Sequence, residues 1–139
     1  MEYVWGCRSN LFQIDSSPIV GLAMTREQET MKKYQLNGTI YYCPVDLTLS
    51  VIGGRWQGLI IWTLRNETKR FNEIKRSLVT INDKMLSQSL KKLVEQEIVS
   101  RKSYNEIPPK VEYSLTKKGV ELLPIFDKMQ KWGEDNNIE

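Results

Sequence analysis

The chain has 139 residues, of which 40% are hydrophobic, so it can fill the core of one domain but not of several. It contains no histidine, the usual general base and commonest metal ligand, and no glycine-rich phosphate loop or clustered carboxylates, so we expect no enzyme, no catalytic or metal site and no cofactor. The net charge of +3 is uneven: residues 65–118 hold 13 Lys and Arg against 7 Asp and Glu, net +6, and the remainder holds 7 against 10, net −3, which makes a polyanion the natural partner of the central segment.

The number of cysteines and the length of the apolar runs indicate the cellular compartment in which the protein resides. Two cysteines, Cys7 and Cys43, cannot form a metal cage, and one pair in a chain of this size does not suggest a secreted disulfide scaffold. No apolar run approaches the roughly 20 residues that cross a bilayer. The segment 19–24 lacks the length and the basic lead-in of a signal peptide. We expect a cytoplasmic protein with no membrane partner.

Residues 1–38 are predicted to be an N-terminal extension outside the domain. Their apolar residues show no sustained helical or strand periodicity, and serine, proline and glycine occur together over residues 16–21. Residues 25–36 are compatible with a short helix capped by Thr25, and Asn37-Gly38 is a turn or helix-stop signal. The domain is expected to span residues 41–133, with residues 134–139 as a C-terminal tail.

Two apolar helices are predicted at the start of the domain. Pro44 suits the first position of a helix, where its missing N–H would be unpaired anyway, and Leu47 and Val51 form a buried stripe. Gly53-Gly54 ends this helix. The next helix, Arg55–Leu64, is apolar nearly all round and therefore belongs inside the fold.

A helix-turn-helix pattern follows. Phe71, Ile74 and Leu78 repeat at helical spacing and predict a short helix over about residues 72–77. Residues 80–82 separate it from a helix over residues 83–96, with Asn82 or Asp83 as its cap. One face of this second helix is apolar, and the other carries the side chains of Lys84, Ser87, Gln88, Lys91 and Lys92. These side chains can donate to phosphates or read base edges, although a solvated amphipathic helix has the same pattern.

A hairpin and a last helix complete the domain. Residues 98–104 and 111–115 alternate as strands do, and the loop between them contains Pro108-Pro109. Because its flanks carry Arg101, Lys102 and Lys110, the hairpin can lie along a nucleic-acid backbone as a wing. A final helix is predicted from Thr116 to Gly133, kinked or divided by a proline at position 124.

Six segments resemble one known family. They are CPV at 43–45, IGGRW at 52–56, RFNEI at 70–74, MLSQSL at 85–90, PPKVEYSLT at 108–116 and WG at 132–133. Together they resemble the HxlR-type transcriptional regulators, relatives of the MarR-type winged helices, over about residues 41–133. The resemblance implies an α+β, mostly helical fold: a winged helix-turn-helix with a two-stranded wing and N- and C-terminal dimerisation helices. It further implies a homodimer that binds a palindromic operator in double-stranded DNA, with the 83–96 helix in a major groove.

This reading assigns roles to two groups of residues. Base-edge and nearby phosphate contacts are predicted for Lys84, Ser87, Gln88 and Lys91, and further phosphate contacts for Arg70, Arg101, Lys102 and Lys110. The dimer interface that the family resemblance implies would contain Leu47, Val51, Leu122, Ile125, Phe126, Met129 and Trp132. The last helix carries more large apolar residues than one small subunit readily covers, which favours a second chain, and packing within one subunit is the alternative.

Cys43 has two interpretations. A thiol at a helix N-terminus feels the positive end of the dipole, and several members of the family use a cysteine at this position to sense oxidants or electrophiles, so the resemblance makes a redox switch one hypothesis. A small buried apolar residue is the other. Two further functions remain open: a regulator that responds to a small molecule without redox sensing, and a winged-helix module that binds proteins.

Overall fold

The computed structural model describes residues 32–137, which divide into two units between Thr48 and Leu49. Most of the predicted N-terminal extension, including Cys7 and the start of the helix predicted from Thr25, lies outside the described residues. Among residues 32–137, no helix is both long enough and apolar enough to span a membrane.

The first unit contains a β-hairpin that was not predicted from the sequence. Strands β1 (Tyr34–Leu36) and β2 (Thr39–Tyr41) pair antiparallel. Asn37 and Gly38 join them with φ values of 48° and 81°, as in the two-residue turns that match the twist of a hairpin. The predicted turn at Asn37-Gly38 is confirmed, but the helix predicted to reach residue 36 is wrong because the strand residues before this turn pair with those after it.

Helix α1 (Pro44–Ile52) begins in the first unit and ends in the second. Pro44 occupies its first position, as predicted, and the Thr48 hydroxyl donates to the Pro44 carbonyl at 2.9 Å. The helix ends at the predicted glycine pair, where the amide of Gly53 donates to the carbonyl of Leu49 at 2.6 Å.

The second unit holds the remaining helices around one apolar core. These are α2 (Arg55–Thr63), α3 (Phe71–Ser77), α4 (Asp83–Glu95), α5 (Lys117–Val120) and α6 (Leu123–Asp135). The most deeply buried side chains come from α2, α3, α4 and the turn and strand that follow α4, and they are Ile60, Ile61, Ile74, Leu86, Leu90, Leu93, Ile98 and Val99. The apolar stripe predicted for α4 therefore faces the core, and α2 lies inside the fold as predicted.

A three-stranded sheet adjoins the helix-turn-helix. Strands β3 (Lys69–Arg70), β4 (Val99–Tyr104) and β5 (Lys110–Leu115) pair antiparallel in the order β3-β5-β4. The predicted two-stranded hairpin is β4–β5, which we call the wing. Strand β3 was not predicted from the sequence, because two residues are too few to show the alternation of a strand.

The proline at position 124 divides the last predicted helix into α5 and α6, one of the two outcomes expected for it. In α6, Phe126 is buried against α2, with its ring centroid 6.3 Å from that of Trp62. Gly58 allows this approach, since a Cβ there would lie 3.3 Å from the Phe126 ring. Helix α6 runs two residues beyond the predicted end at Gly133.

Candidate nucleic-acid interface

The outer face of α4 is solvent-accessible and polar. Lys84, Ser87, Gln88 and Lys91 are all exposed, whereas Leu86, Leu90 and Leu93 on the opposite face are buried. The nearest acidic partner on this face is Glu95, whose Oε1 lies 3.9 Å from Lys91 Nζ. Both side chains are mostly exposed, at 78% and 58%, so this pair is weak and leaves Lys91 able to reach a phosphate.

The N-terminus of α4 is held by two contacts. Asn82, one of the two predicted caps, accepts a hydrogen bond from the Met85 amide through its side-chain oxygen at 2.8 Å. Lys75 of α3 places Nζ 2.7 Å from Oδ1 of Asp83. The second contact joins the two helices of the helix-turn-helix across their turn.

The C-terminus of α4 ends in a Schellman motif. Glu97 adopts a φ of 59°, its amide donates to the Val94 carbonyl at 3.0 Å, and the Ile98 amide donates to the Leu93 carbonyl at 2.9 Å. This left-handed position usually holds glycine, because a side chain there costs about 1–2 kcal/mol. A glutamate is therefore kept in a conformation that its neighbours must stabilise.

Residues at the start of α5 supply that stabilisation. The Thr116 hydroxyl caps α5 by accepting from the Gly119 amide at 3.1 Å, and it lies 2.6 Å from the Glu97 carbonyl oxygen, to which it donates. Lys118 Nζ donates to the Gln96 carbonyl at 3.0 Å. These bonds satisfy carbonyls that the end of a helix leaves unpaired, and they join α4 to α5.

The wing has a polar face centred on Glu112. Cross-strand partners share a face of a sheet, and Glu112 lies opposite Arg70 on β3 and opposite Lys102 on β4, while Tyr104 lies opposite Lys110. We call these five residues the polar face of the wing. It carries three cations and one carboxylate, so its charge is lower than the number of its basic residues suggests.

Contacts within the polar face are close. Lys110 Nζ lies 2.7 Å from Glu112 Oε1, and the Tyr104 hydroxyl donates to Glu112 Oε2 at 3.0 Å. The ammonium groups of Lys102 and Lys110 lie 4.9 and 4.8 Å from the centroid of the Tyr104 ring, within cation–π range. The hydrogen bond to Lys110, and then that from Tyr104, hold the pKa of Glu112 below its usual range. The same carboxylate raises the pKa of Lys110.

Arg101 does not belong to this polar face. It pairs with Tyr113, which in turn pairs with Lys69, on the side of the sheet that also carries the buried Val99. The three cations predicted for the wing are therefore divided: Lys102 and Lys110 share a face with Arg70, and Arg101 lies on the other. The alternation of residues along β4 was a signal for this division.

The residues predicted for a dimer interface fall into three groups. In the second unit Val51 and Phe126 are buried, and Leu122 is half-buried. Ile125, Met129 and Trp132 of α6 are exposed, with 39%, 52% and 70% of their surfaces accessible. In the first unit Leu47 is half-buried, and so is Cys43, whose carbonyl accepts the Leu47 amide at the start of α1.

Several residues that shape this surface were not predicted from the sequence. They are Tyr104 and Glu112 on the wing, and Glu97, Thr116 and Lys118 at the junction of α4 with α5. Thr116 was expected as a helix cap, but its bond to the preceding helix depends on a contact between residues 19 positions apart.

Two helices joined by a short turn, the second with an exposed polar face, and a β-hairpin wing beside them define a winged helix-turn-helix, the class of DNA-binding regulators. Residues 51–139 match the family described as HxlR-like helix-turn-helix. The chain belongs to that family, whose members are transcriptional regulators rather than enzymes. It is a transcriptional regulator with a helix-turn-helix DNA-binding fold.

Individual relatives agree with this assignment. MalR of Fusobacterium mortiferum, named as a regulatory protein, is 46% identical over 97 residues, 69% of this chain and 92% of MalR. The oxidised form of the redox regulator HypR superposes with a TM-score of 0.66 and 45% identity, covering 70% of this chain and all of the HypR chain. Quinone-bound YodB from Bacillus subtilis gives a TM-score of 0.57 and 40% identity over 67% of this chain and 98% of the YodB chain.

Proposed function

We propose that the protein binds double-stranded DNA sequence-specifically as a homodimer, with α4 in the major groove of a palindromic operator and the wing along the backbone. The observation that carries the proposal is the exposed polar face of α4, fixed at both ends by the contacts at Asn82 and Thr116. Gln88 is the side chain suited to pair with an adenine edge, with Lys84, Ser87 and Lys91 beside it.

The test separates base contacts from phosphate contacts. A duplex is first selected from a random-sequence pool by the wild-type protein, and two variants are then titrated against it and against mixed-sequence DNA. Gln88→Ala is expected to relax the choice of base at one position and to cost about 1–3 kcal/mol on the selected duplex. Lys102→Ala is expected to weaken binding to both duplexes and to flatten the salt slope by about 0.9 for each bound subunit. Identical behaviour of the two variants would contradict these assignments.

The homodimer is supported by the exposed side chains of α6. Ile125, Met129 and Trp132 recur at helical spacing, so they form one apolar stripe that water would otherwise contact. Two α4 helices in such a dimer would reach half-sites about 10 base pairs apart. Trp132→Glu is expected to shift the protein to monomer in sedimentation equilibrium, and Lys131→Glu, an exposed neighbour on the same helix, serves as the control. A dimer that persists in Trp132→Glu rules out this interface.

We further propose that Cys43 makes the regulator responsive to oxidants or electrophiles. Its half-buried thiol stands immediately before α1, where the helix dipole favours the thiolate. Related structures support the proposal: HypR is a redox regulator with oxidised and reduced forms, and YodB has diamide-treated and quinone-bound forms.

The redox proposal is tested by labelling thiols across a pH series and by titrating DNA with and without diamide. Cys43 is expected to react at lower pH than an ordinary thiol, and diamide is expected to change DNA affinity in wild type and in Cys7→Ser but not in Cys43→Ser. An inert Cys43 would favour the alternative, a regulator that responds to a small molecule without redox chemistry.

A further inference from the structure

Glu112 lies at the centre of the polar face of the wing, whose other charged residues are all basic. Arg70 and Lys102 lie directly across from it on the neighbouring strands, and Lys110 lies two residues before it on β5. A carboxylate at this point repels the DNA backbone. Its presence therefore requires an explanation from the contacts it makes.

The contacts show a tightly held ion pair. The Lys110–Glu112 side chains are only 27% and 21% exposed, with 2.7 Å between nitrogen and oxygen, and the Tyr104 hydroxyl binds the other carboxylate oxygen at 3.0 Å. The Lys91–Glu95 pair on α4 is longer, at 3.9 Å, and far more exposed. Water and salt screen a half-buried pair less than an exposed one, so Glu112 competes with a phosphate for Lys110 more strongly than Glu95 does for Lys91.

We propose that Glu112 withholds Lys110 from the DNA backbone, so that the polar face of the wing binds phosphate through Arg70 and Lys102 and the Lys110–Glu112 pair adds no phosphate contact. Glu112 thereby limits both the affinity of the regulator for any duplex and the steepness of its salt dependence. This inference rests on the proposed DNA binding and deepens it by separating cations that bind phosphate from one that does not.

Geometry explains why the pair stays closed on DNA. A phosphate that approached Lys110 would lie beside the Glu112 carboxylate, and it would have to displace an oxygen held by Lys110 while the second oxygen remained held by Tyr104. Turning Glu112 away would also break the Tyr104 bond. Lys102, whose ammonium lies near the Tyr104 ring and outside any ion pair found among residues 32–137, meets a phosphate without that loss.

The experiment measures binding to a mixed-sequence duplex over a range of salt concentrations. Glu112→Gln keeps the shape of the side chain and frees Lys110, so the salt slope is expected to steepen by about 0.9 for each bound subunit. Affinity then falls about 3.5-fold more, per subunit, between 50 and 200 mM salt than it does in wild type. The double variant Glu112→Gln/Lys110→Gln replaces a neutral pair by another neutral pair and is expected to keep the wild-type slope.

Two matched controls accompany these variants. Glu106→Gln removes the same unit charge from the wing tip. Glu106 forms no ion pair within the described residues and acts on Lys110 only through a weaker coulombic attraction, so the slope is expected to change much less than in Glu112→Gln. Lys102→Gln removes a lysine from the same face and is expected to flatten the slope by about 0.9 per subunit. If Glu112→Gln proves unstable in thermal unfolding, the double variant provides the test, because it leaves neither a freed lysine nor an unpaired carboxylate opposite Arg70 and Lys102.

The outcomes separate this inference from the function on which it rests. A double variant that loses about 0.9 of slope per subunit shows that Lys110 holds a phosphate, and it overturns the inference. A Glu112→Gln slope equal to that of wild type overturns it as well. In both cases wild type still binds DNA, so the proposed function stands; a wild-type protein that binds no duplex overturns both.

Discussion

Thr116→Val tests how firmly the C-terminal end of α4 is attached to the rest of the domain. Valine has nearly the shape of threonine, but it can neither accept the Gly119 amide nor donate to the Glu97 carbonyl. Loss of a helix cap costs typically about 1 kcal/mol, and loss of one hydrogen bond costs about 1 kcal/mol more. We therefore expect the free energy of unfolding to fall by about 1.5–3 kcal/mol.

Urea unfolding at fixed protein concentration measures this change, because the apparent stability of the proposed dimer would depend on concentration. With a slope typical of a small domain, the expected loss lowers the midpoint by roughly 1 M urea. Thr116→Ser keeps the hydroxyl and is expected to lose much less. If the serine and valine variants lost the same stability, the hydroxyl bonds would not be the cause and the attachment of α4 through Thr116 would be refuted.

Three further changes test other parts of the structure. Glu97→Gly is expected to raise the free energy of unfolding by about 1 kcal/mol in urea titrations, because glycine adopts the left-handed conformation without strain; an unchanged midpoint would contradict this. Gly119→Ala is expected to cost about 1–3 kcal/mol, since its Cβ would overlap the carbonyl oxygen of Ile98, whereas Gly133→Ala meets open space and is expected to stabilise slightly. DNA affinity of Cys43→Ser is expected to stay constant between about pH 6 and 8. The chain has no histidine, the lowered pKa of Glu112 makes its contribution disappear only in acid, and the raised pKa of Lys110 makes its contribution disappear only in strong base. A clear trend in fluorescence titrations of this variant over the same range would contradict the expectation.

Local patterns were sufficient to predict most of the second unit. The apolar stripe of α4, the proline that opens α1 and the alternation of the wing each depend on residues close in sequence, and the helices and strands lie within a few residues of the predicted bounds. These elements were predictable because burial of one face and the local backbone preference favour the same structure.

Predictions failed where a short segment depends on a distant partner or on a choice between two turns. Asn37-Gly38 can end a helix or reverse a hairpin, and only the pairing of β1 with β2 decides between them. Strand β3 has two residues, and it exists because Lys69 and Arg70 pair with β5, more than 40 positions later. The left-handed Glu97 was also unpredictable, because its position carries neither glycine nor asparagine.

The candidate interface shows why a count of basic residues overestimates the surface available to DNA. Arg101 and Lys102 are neighbours in sequence, but consecutive residues of a strand point to opposite faces, so only Lys102 stands with Arg70. Lys110 shares their face and is balanced by Glu112. With Lys110 paired to Glu112, Arg70 and Lys102 are the cations of this face that we expect to supply phosphate contacts, and binding of arbitrary DNA comes almost entirely from such contacts. If α4 lies in the major groove as proposed, base-edge contacts come from α4, so Gln88→Ala is expected to reduce discrimination between sequences more than any substitution on the wing.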